Sequence, residues 1–295
     1  MASVVYLDGE LVPVEQARVS VFDHGLLYGD GVFEGIRAYN GRVFRLTQHL
    51  ERLYASARGV HLDIPLDMSE MESAVVRTVA ANGLRDAYIR LVVTRGVGDL
   101  GLDPRKCPQP SVLIIASTIQ LYPPEVYEQG LRLIVCQTLR TPASSLDPSL
   151  KSLNYLNNIV AKVEVTNAGA DEGIMLNQAG YVAECTGDNL FLVREGQIVT
   201  PPPEAGILIG VTRGAVIELA REAGYVVREE LFKIGEVLAA DECFLTGTAA
   251  EIAPVGRVNG QPIGSGKPGP VTKDLHRAFQ ELTAREGTPI EVGVG

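Results

Sequence analysis

Strand-like and helix-like patterns alternate along this chain on both sides of one break, Leu121-Tyr-Pro-Pro-Glu125, and no segment repeats another. Before the break, residues 4–7 and 11–14 flank Asp8-Gly9, a hairpin signature. Apolar residues at 46, 50, 53, 54 and 57 recur at helical spacing, and 68–82 reads as a second helix closed by Asn82-Gly83. Segments 88–94 and 112–117 read as strands. After the break, strands are expected near 131–138, 173–177, 181–184, 189–193 and 242–246, with helices near 154–168, 212–223 and 271–284. The pattern predicts a mixed α and β (α+β) protein of two domains. Residues 1–120 form a small N-terminal α/β domain, 121–130 a linker, and 131–295 a larger C-terminal domain.

With 295 residues, 46% hydrophobic and 21% charged, the chain is long enough to bury a sizeable core. No apolar run approaches the roughly 18 residues that a membrane span needs, and the start, Met-Ala-Ser-Val-Val-Tyr-Leu-Asp-Gly-Glu, has neither a basic leader nor a long apolar stretch. A cytoplasmic protein without a membrane partner is expected. Cysteines 107, 136, 185 and 243 lie far apart without a Cys-x-x-Cys pair, which argues for reduced, structural thiols and no zinc site. A net charge of −10 without a basic patch argues against a nucleic-acid partner, so any anionic ligand must be held by local positive groups.

Two apparent motifs fail on physical grounds. Gly96-Val-Gly-Asp-Leu-Gly101 fits the dinucleotide-binding pattern, but that motif needs a helix opening at its end, and Pro104, Pro108 and Pro110 forbid one. It reads as a flexible loop. Gly260 to Lys267 resembles a phosphate loop, yet its glycine spacing is wrong by one and Pro268 stands where Ser or Thr is required. Histidines 24, 49, 61 and 276 lack metal-ligand spacing, so no metal is expected.

Only six lysines, 106, 151, 162, 233, 267 and 273, accompany 20 arginines. Arginine cannot form an imine, whereas a lysine shielded from water loses its proton and attacks a carbonyl. Lys151 lies in Pro148-Ser-Leu-Lys-Ser-Leu-Asn-Tyr-Leu-Asn-Asn158, a loop entering an apolar-periodic helix. At pH 7 only about one free lysine in 2,500 is neutral, a cost of roughly 4.6 kcal/mol unless the site lowers it.

Four further segments accompany it: Phe33-Glu-Gly-Ile-Arg37, Gly180-Tyr-Val-Ala-Glu-Cys-Thr-Gly-Asp-Asn-Leu-Phe191, Ile209-Gly-Val-Thr-Arg213 and Thr246-Gly-Thr-Ala-Ala-Glu-Ile252. With these motifs in this order, from near Tyr6 to Lys273, the chain resembles the fold-type IV pyridoxal 5'-phosphate (PLP) enzymes. Within them it is most similar to the branched-chain amino-acid aminotransferases. The resemblance implies the D-amino-acid aminotransferase-like fold. It implies transfer of the amino group of leucine, isoleucine or valine to 2-oxoglutarate, giving branched-chain 2-oxo acids and L-glutamate.

The same resemblance assigns roles. Lys151 is the imine-forming residue and the base acting at Cα. Glu184 faces the pyridine nitrogen, and Tyr155 the ring oxygen. Val211 and Thr212, opening an apolar-periodic helix, form an anion cup for the phosphate with Thr248 and Arg52. By the helical wheel alone, Arg52 lies about 100° from the apolar stripe and would face solvent. The substrate α-carboxylate falls to Thr248, Ala249 and Tyr88. Arg90 and Tyr28 receive the glutamate side chain, and Phe33 lines an apolar wall. Two positions depart from the family's usual pattern: Leu91 where proline is common after Tyr-x-Arg, and Cys185, which would bring a thiol beside the ring. The loop from Gly96 to Gly101 resembles one that reaches into a neighbouring subunit, so a homodimer or larger homo-oligomer is expected. The alternatives are a D-amino-acid aminotransferase, an aminodeoxychorismate lyase and, more remotely, a non-catalytic PLP-binding protein.

Overall fold

The computed structural model of the chain describes residues 3–119 and 122–290. The chain divides into two units, Met1–Ile119 with Leu150–Asn154 and Thr283–Gly295, and Gln120–Ser149 with Tyr155–Leu282.

The first unit runs β1 (Val4–Leu7), β2 (Glu10–Pro13), α1 (His24–Tyr28), β3 (Gly31–Tyr39), β4 (Arg42–Val43), α2 (Leu46–Gly59), α3 (Met68–Ala81), β5 (Ala87–Thr94) and β6 (Ser111–Ser117). The Asp8-Gly9 hairpin forms as expected: both residues have positive φ, at 50° and 105°, which matches the twist of the strands they join. Helix α3 opens on a capping box between Asp67 and Glu70, and Asn82-Gly83 closes it, with Gly83 at φ 64°. Among the described residues the sheet order is Thr288–Pro289, β4, β3, β5, β6, β1, β2. Its core joins Ile36, Ile89, Leu91 and Ile114 of the sheet to Leu50 and Leu53 of α2 and Met71 and Val75 of α3, all fully buried.

Strand β3 is the principal element that periodicity misses. It is buried along nearly its whole length, so it lacks the alternation of a half-exposed strand. Gly31 and Gly35 interrupt it further: a Cβ on Gly31 would stand 2.6 Å from the fixed Val93 carbonyl oxygen, and one on Gly35 would stand 2.4 Å from the Tyr88 hydroxyl, a side-chain tip that would have to shift.

In the second unit follow α4 (Pro124–Gln129), β7 (Leu131–Val135), α5 (Leu156–Asn167), β8 (Glu172–Leu176), β9 (Val182–Cys185), β10 (Asn189–Arg194), β11 (Gln197–Thr200), α6 (Val211–Glu222), β12 (Val227–Glu229), α7 (Ile234–Leu238), β13 (Glu242–Gly247), β14 (Glu251–Val258), β15 (Gln261–Pro262) and α8 (Pro270–Arg285). Its sheet order is β12, β11, β10, β13, β14, β7, β8, β9, with β15 on β14. The expected linker 121–130 contains helix α4, and Leu121 lies outside the described residues. The sequence pattern does not reveal strand β14 because Pro254 and Gly256 interrupt it; the register shifts between Val255 and Arg257. At the centre, Phe191 of β10 and Phe244 of β13 are register partners whose rings stack 5.0 Å apart.

All four thiols are buried, and burial pushes each above the usual cysteine range, Cys136 to about 12. Cys185 follows Glu184 on β9, so its side chain points to the opposite sheet face, where it packs with Leu131, Leu190 and Cys243. Cys185 is thus a packed core thiol, as expected of a structural cysteine. Among the described residues no helix is long and apolar enough to cross a membrane, and no group of three or more His, Cys, Asp and Glu is placed to hold a metal.

Candidate functional site

In the first unit, Lys151 is fixed by its backbone. Its N–H donates to Ser56 Oγ at 3.0 Å, and its carbonyl accepts from the Phe33 N–H at 3.0 Å. Ser152 bridges Val32, and the Leu153 N–H donates to the Gly31 carbonyl. The segment therefore lines the β3 edge opposite β5 and is half-buried, not a mobile surface loop. The Lys151 Nζ stands 4.6 Å from the centroid of the Phe33 ring.

Register groups the substrate candidates of this unit. Gly35 pairs with Arg90 and Arg37 with Tyr88, so Phe33, Gly35, Tyr88 and Arg90 share one sheet face. Arg90 lies 4.7 Å over the Phe33 ring and donates to the Tyr88 hydroxyl at 3.0 Å, which the bare Cα of Gly35 accommodates. Tyr28 sits apart on α1, where its hydroxyl donates to the Leu100 carbonyl at 2.6 Å. The loop carrying Leu100 is hydrogen-bonded to residues 22–28. The Gly96 carbonyl accepts from the His24 N–H, the Gly98 N–H donates to the Phe22 carbonyl, and His24 Nε2 lies 2.8 Å from the Asp99 carbonyl oxygen.

The opposite face of β3 carries Glu34, completely buried. Arg52 grips it from α2, Nε to Oε1 at 2.7 Å and Nη2 to Oε2 at 2.8 Å, and His49 Nδ1 meets Oε2 at 2.8 Å. Burial alone would push Glu34 up, but Arg52 and His49 outweigh it and bring the carboxyl down to about 2. Burial pushes His49 below the ordinary imidazole value. Arg52 is thus turned toward the sheet and half-buried, where the helical wheel alone puts it in solvent.

In the second unit, Glu184 lies on β9 with its carboxylate buried. It accepts from Arg140 Nε at 2.9 Å, Asn189 Nδ2 at 3.1 Å and the Leu208 N–H at 3.0 Å. Asn189 also donates to the Leu208 carbonyl at 2.9 Å, which ties the approach to α6 to the carboxylate. Val211 and Thr212 open α6 behind Gly210, whose position offers no side-chain cap; a Cβ there would stand 2.1 Å from Asn189 Oδ1. Pairing of β10 with β13 sets Asn189 opposite Thr246, and the turn Thr248, Ala249 and Ala250 follows, with Glu251 at φ 58° beyond it. Thr246 Oγ1 is buried without a hydrogen-bond partner among the described residues. Tyr155 stands at the N-cap of α5, half-buried. Asn189 thus links Glu184 to the approach to Val211 and Thr212, and its register partner Thr246 precedes the turn of Thr248 and Ala249. Sequence reasoning misses Arg140, Asn158, Glu34 and His49, whose partners lie on other elements.

Residues 31–258 match the model of the amino-transferase class IV family. The branched-chain-amino-acid aminotransferase of Escherichia coli K12 is 37% identical over 291 residues, 97% of this chain and 94% of its own. A Methanocaldococcus jannaschii protein that bears the same name provisionally is 50% identical over 286 residues, 97% of this chain and 98% of its own. Among solved structures, the T.th. branched-chain amino acid aminotransferase with pyridoxamine 5'-phosphate superposes with a TM-score of 0.93 at 39% identity, over 96% of this chain and 95% of that one. On this family match and these near full-length likenesses, the chain belongs to the class IV aminotransferases and stands among their branched-chain amino-acid aminotransferases.

Proposed function

We propose that this enzyme uses PLP to pass the amino group of L-leucine, L-isoleucine or L-valine to 2-oxoglutarate. The observation that carries the substrate reading is the shared face of β3 and β5, where Arg90 lies over the apolar ring of Phe33 beside Lys151. An apolar surface with one guanidinium at its margin suits both a branched aliphatic chain and a carboxylate-bearing one.

The second unit's residues fit the cofactor. A buried carboxylate held by three N–H donors favours its ionised form, as a partner of a protonated pyridine nitrogen must. An uncapped helix N-terminus behind glycine, with Thr212 in its first turn, suits a phosphate, and the unpartnered Thr246 hydroxyl adds a donor two residues before Thr248. In this reading Lys151 would hold the cofactor's aldehyde carbon, Glu184 its ring nitrogen and Tyr155 its ring oxygen. Arg52, Val211, Thr212 and Thr248 would hold its phosphate.

Bound PLP supplies the electron sink that makes a substrate Cα–H bond acidic. The chain supplies the rest. Lys151 Nζ takes the proton from the substrate Cα, and its fixed backbone limits where that amine can reach. Thr248, Ala249 and Tyr88 orient the α-carboxylate. Arg90 and Tyr28 receive the side-chain carboxylate of glutamate, and Phe33 excludes water from the aliphatic chain.

The same reading places the enzyme in the cytoplasm as a homodimer or larger homo-oligomer. The second part is supported by α5, whose exposed Leu156, Ile159, Val160 and Val163 recur at helical spacing as an apolar stripe.

The test is a single turnover. Purified protein loaded with PLP is mixed with L-leucine and no oxo acid; one equivalent of 4-methyl-2-oxopentanoate should form as the visible absorbance bleaches, and 2-oxoglutarate should restore the colour with one equivalent of L-glutamate. Colour that responds to D-amino acids and not to L-leucine would overturn the reading.

A further inference from the structure

A line of hydrogen bonds leads away from Glu184 through the second unit. Arg140 donates from Nε to Glu184 Oε1 at 2.9 Å and from Nη1 to Asn158 Oδ1 at 3.0 Å. Asn158 donates from Nδ2 to the Thr186 carbonyl at 2.8 Å. The Thr186 N–H and hydroxyl both donate to Glu172 Oε1, and Lys162 Nζ donates to Glu172 Oε2 at 2.8 Å. Arg140, Asn158, Thr186, Glu172 and Glu184 are all buried, and Lys162 reaches solvent. The charged groups alternate in sign along the line: Glu184, Arg140, Glu172, Lys162.

A ring nitrogen facing Glu184 admits two placements of one proton: on the nitrogen with an ionised carboxylate, or on the carboxyl with a neutral ring. The second placement strands the buried Arg140 cation without a counter-charge beside it, which is the costly arrangement. The first lets Glu184 serve both cations. The Arg140 guanidinium bonds to the side chains of Glu184 and Asn158, so its charge is not spent on supporting backbone carbonyls.

We propose that Arg140 is a positioning residue that keeps Glu184 ionised and thereby keeps the proton on the ring nitrogen of bound PLP, and that Asn158 aims Arg140 for this task. The inference rests on the reading of Glu184 as the partner of that nitrogen. No bond beyond the one to this proton changes, and no other reactant is needed.

The test uses the holoenzyme reconstituted with PLP labelled with 15N at the ring position and read by solid-state nitrogen NMR, together with PLP affinity. The unaltered protein should show a protonated ring. Arg140→Met should move the signal to the neutral ring and weaken PLP binding by about tenfold or more, the usual effect of losing a group that orients a ligand's direct partner. Arg140→Lys, which keeps the charge, should restore the protonated signal. A protonated ring in Arg140→Met, or a neutral one in Arg140→Lys, overturns the proposal. If Arg140→Met does not fold, Asn158→Ala decides: a smaller protonated fraction and weaker PLP binding support the proposal, and an unchanged signal and affinity refute it. Glu184→Gln separates the two levels. If the ring signal does not respond to that change, the assignment of Glu184 itself has failed; if it responds while Arg140→Met leaves it unmoved, only the role of Arg140 has.

Discussion

Glu34 and Arg52 meet through two parallel hydrogen bonds of 2.7 and 2.8 Å, with the carboxylate wholly buried between β3 and α2. A bidentate pair of this kind fixes the guanidinium in plane and direction as well as in charge. Replacing Glu34 by Gln leaves the half-buried Arg52 without its counter-ion, so the first unit should lose about 1–3 kcal/mol of stability. Urea unfolding followed by circular dichroism measures this, and a loss under about 1 kcal/mol would show that the pair is incidental.

The Glu34 carboxyl is held at about 2 in the fold and near 4.5 when exposed, so its stabilisation is complete above about pH 4.5 and is lost as pH falls toward 2. His49 acts in the same direction from a higher pH. Its folded value lies below 6.5, so the unfolded chain binds the extra proton and stability begins to fall below about pH 6.5. Melting temperatures recorded from pH 8 to pH 3 should decline in two stages, and His49→Gln should flatten the upper one.

Gly35→Ala probes the packing beneath Tyr88. The new methyl would stand 2.4 Å from the Tyr88 hydroxyl, so the ring must shift and disturb its hydrogen bond from Arg90. A cost of about 1–3 kcal/mol from overpacking is expected. With Tyr88 assigned to the α-carboxylate, KM for L-leucine should rise more than kcat falls. A fall confined to kcat would assign Tyr88 elsewhere.

Arg90→Met separates the two substrate classes. It keeps the apolar contact with Phe33 while removing the cation. Losing one charged hydrogen bond costs about 1.5–3 kcal/mol, so kcat/KM for L-glutamate should fall about 10- to 150-fold with that for L-leucine nearly constant. Equal losses for both would place Arg90 at a contact common to both substrates.

What is legible in the sequence is what local pattern encodes. The Asp8-Gly9 turn, the α3 caps and the helix opening at Val211 each depend on a few neighbouring residues, and each forms close to where the pattern puts it. Strand β3 is hidden because a strand buried along its length, with glycines at 31 and 35, shows no alternation. Glu34 lies inside one of the motifs yet receives no role from it, since a charged residue on a strand reads as solvated until α2 brings Arg52 and His49 against it. Arg140 lies 44 residues from Glu184, and nothing in its own surroundings announces the partnership. Likeness to the family assigns Arg52 to the phosphate, while its grip on Glu34 appears only in three dimensions.

The burial of all four cysteines makes the chain a convenient host for chemical labels. Alkylating reagents attack the thiolate, and burial keeps the native thiols protonated and sheltered. A single cysteine placed at an exposed position such as Ala223, just past the end of α6, would react far ahead of them. A fluorophore or spin probe attached there would report on the working enzyme with every native side chain of the two β-sheets left in place.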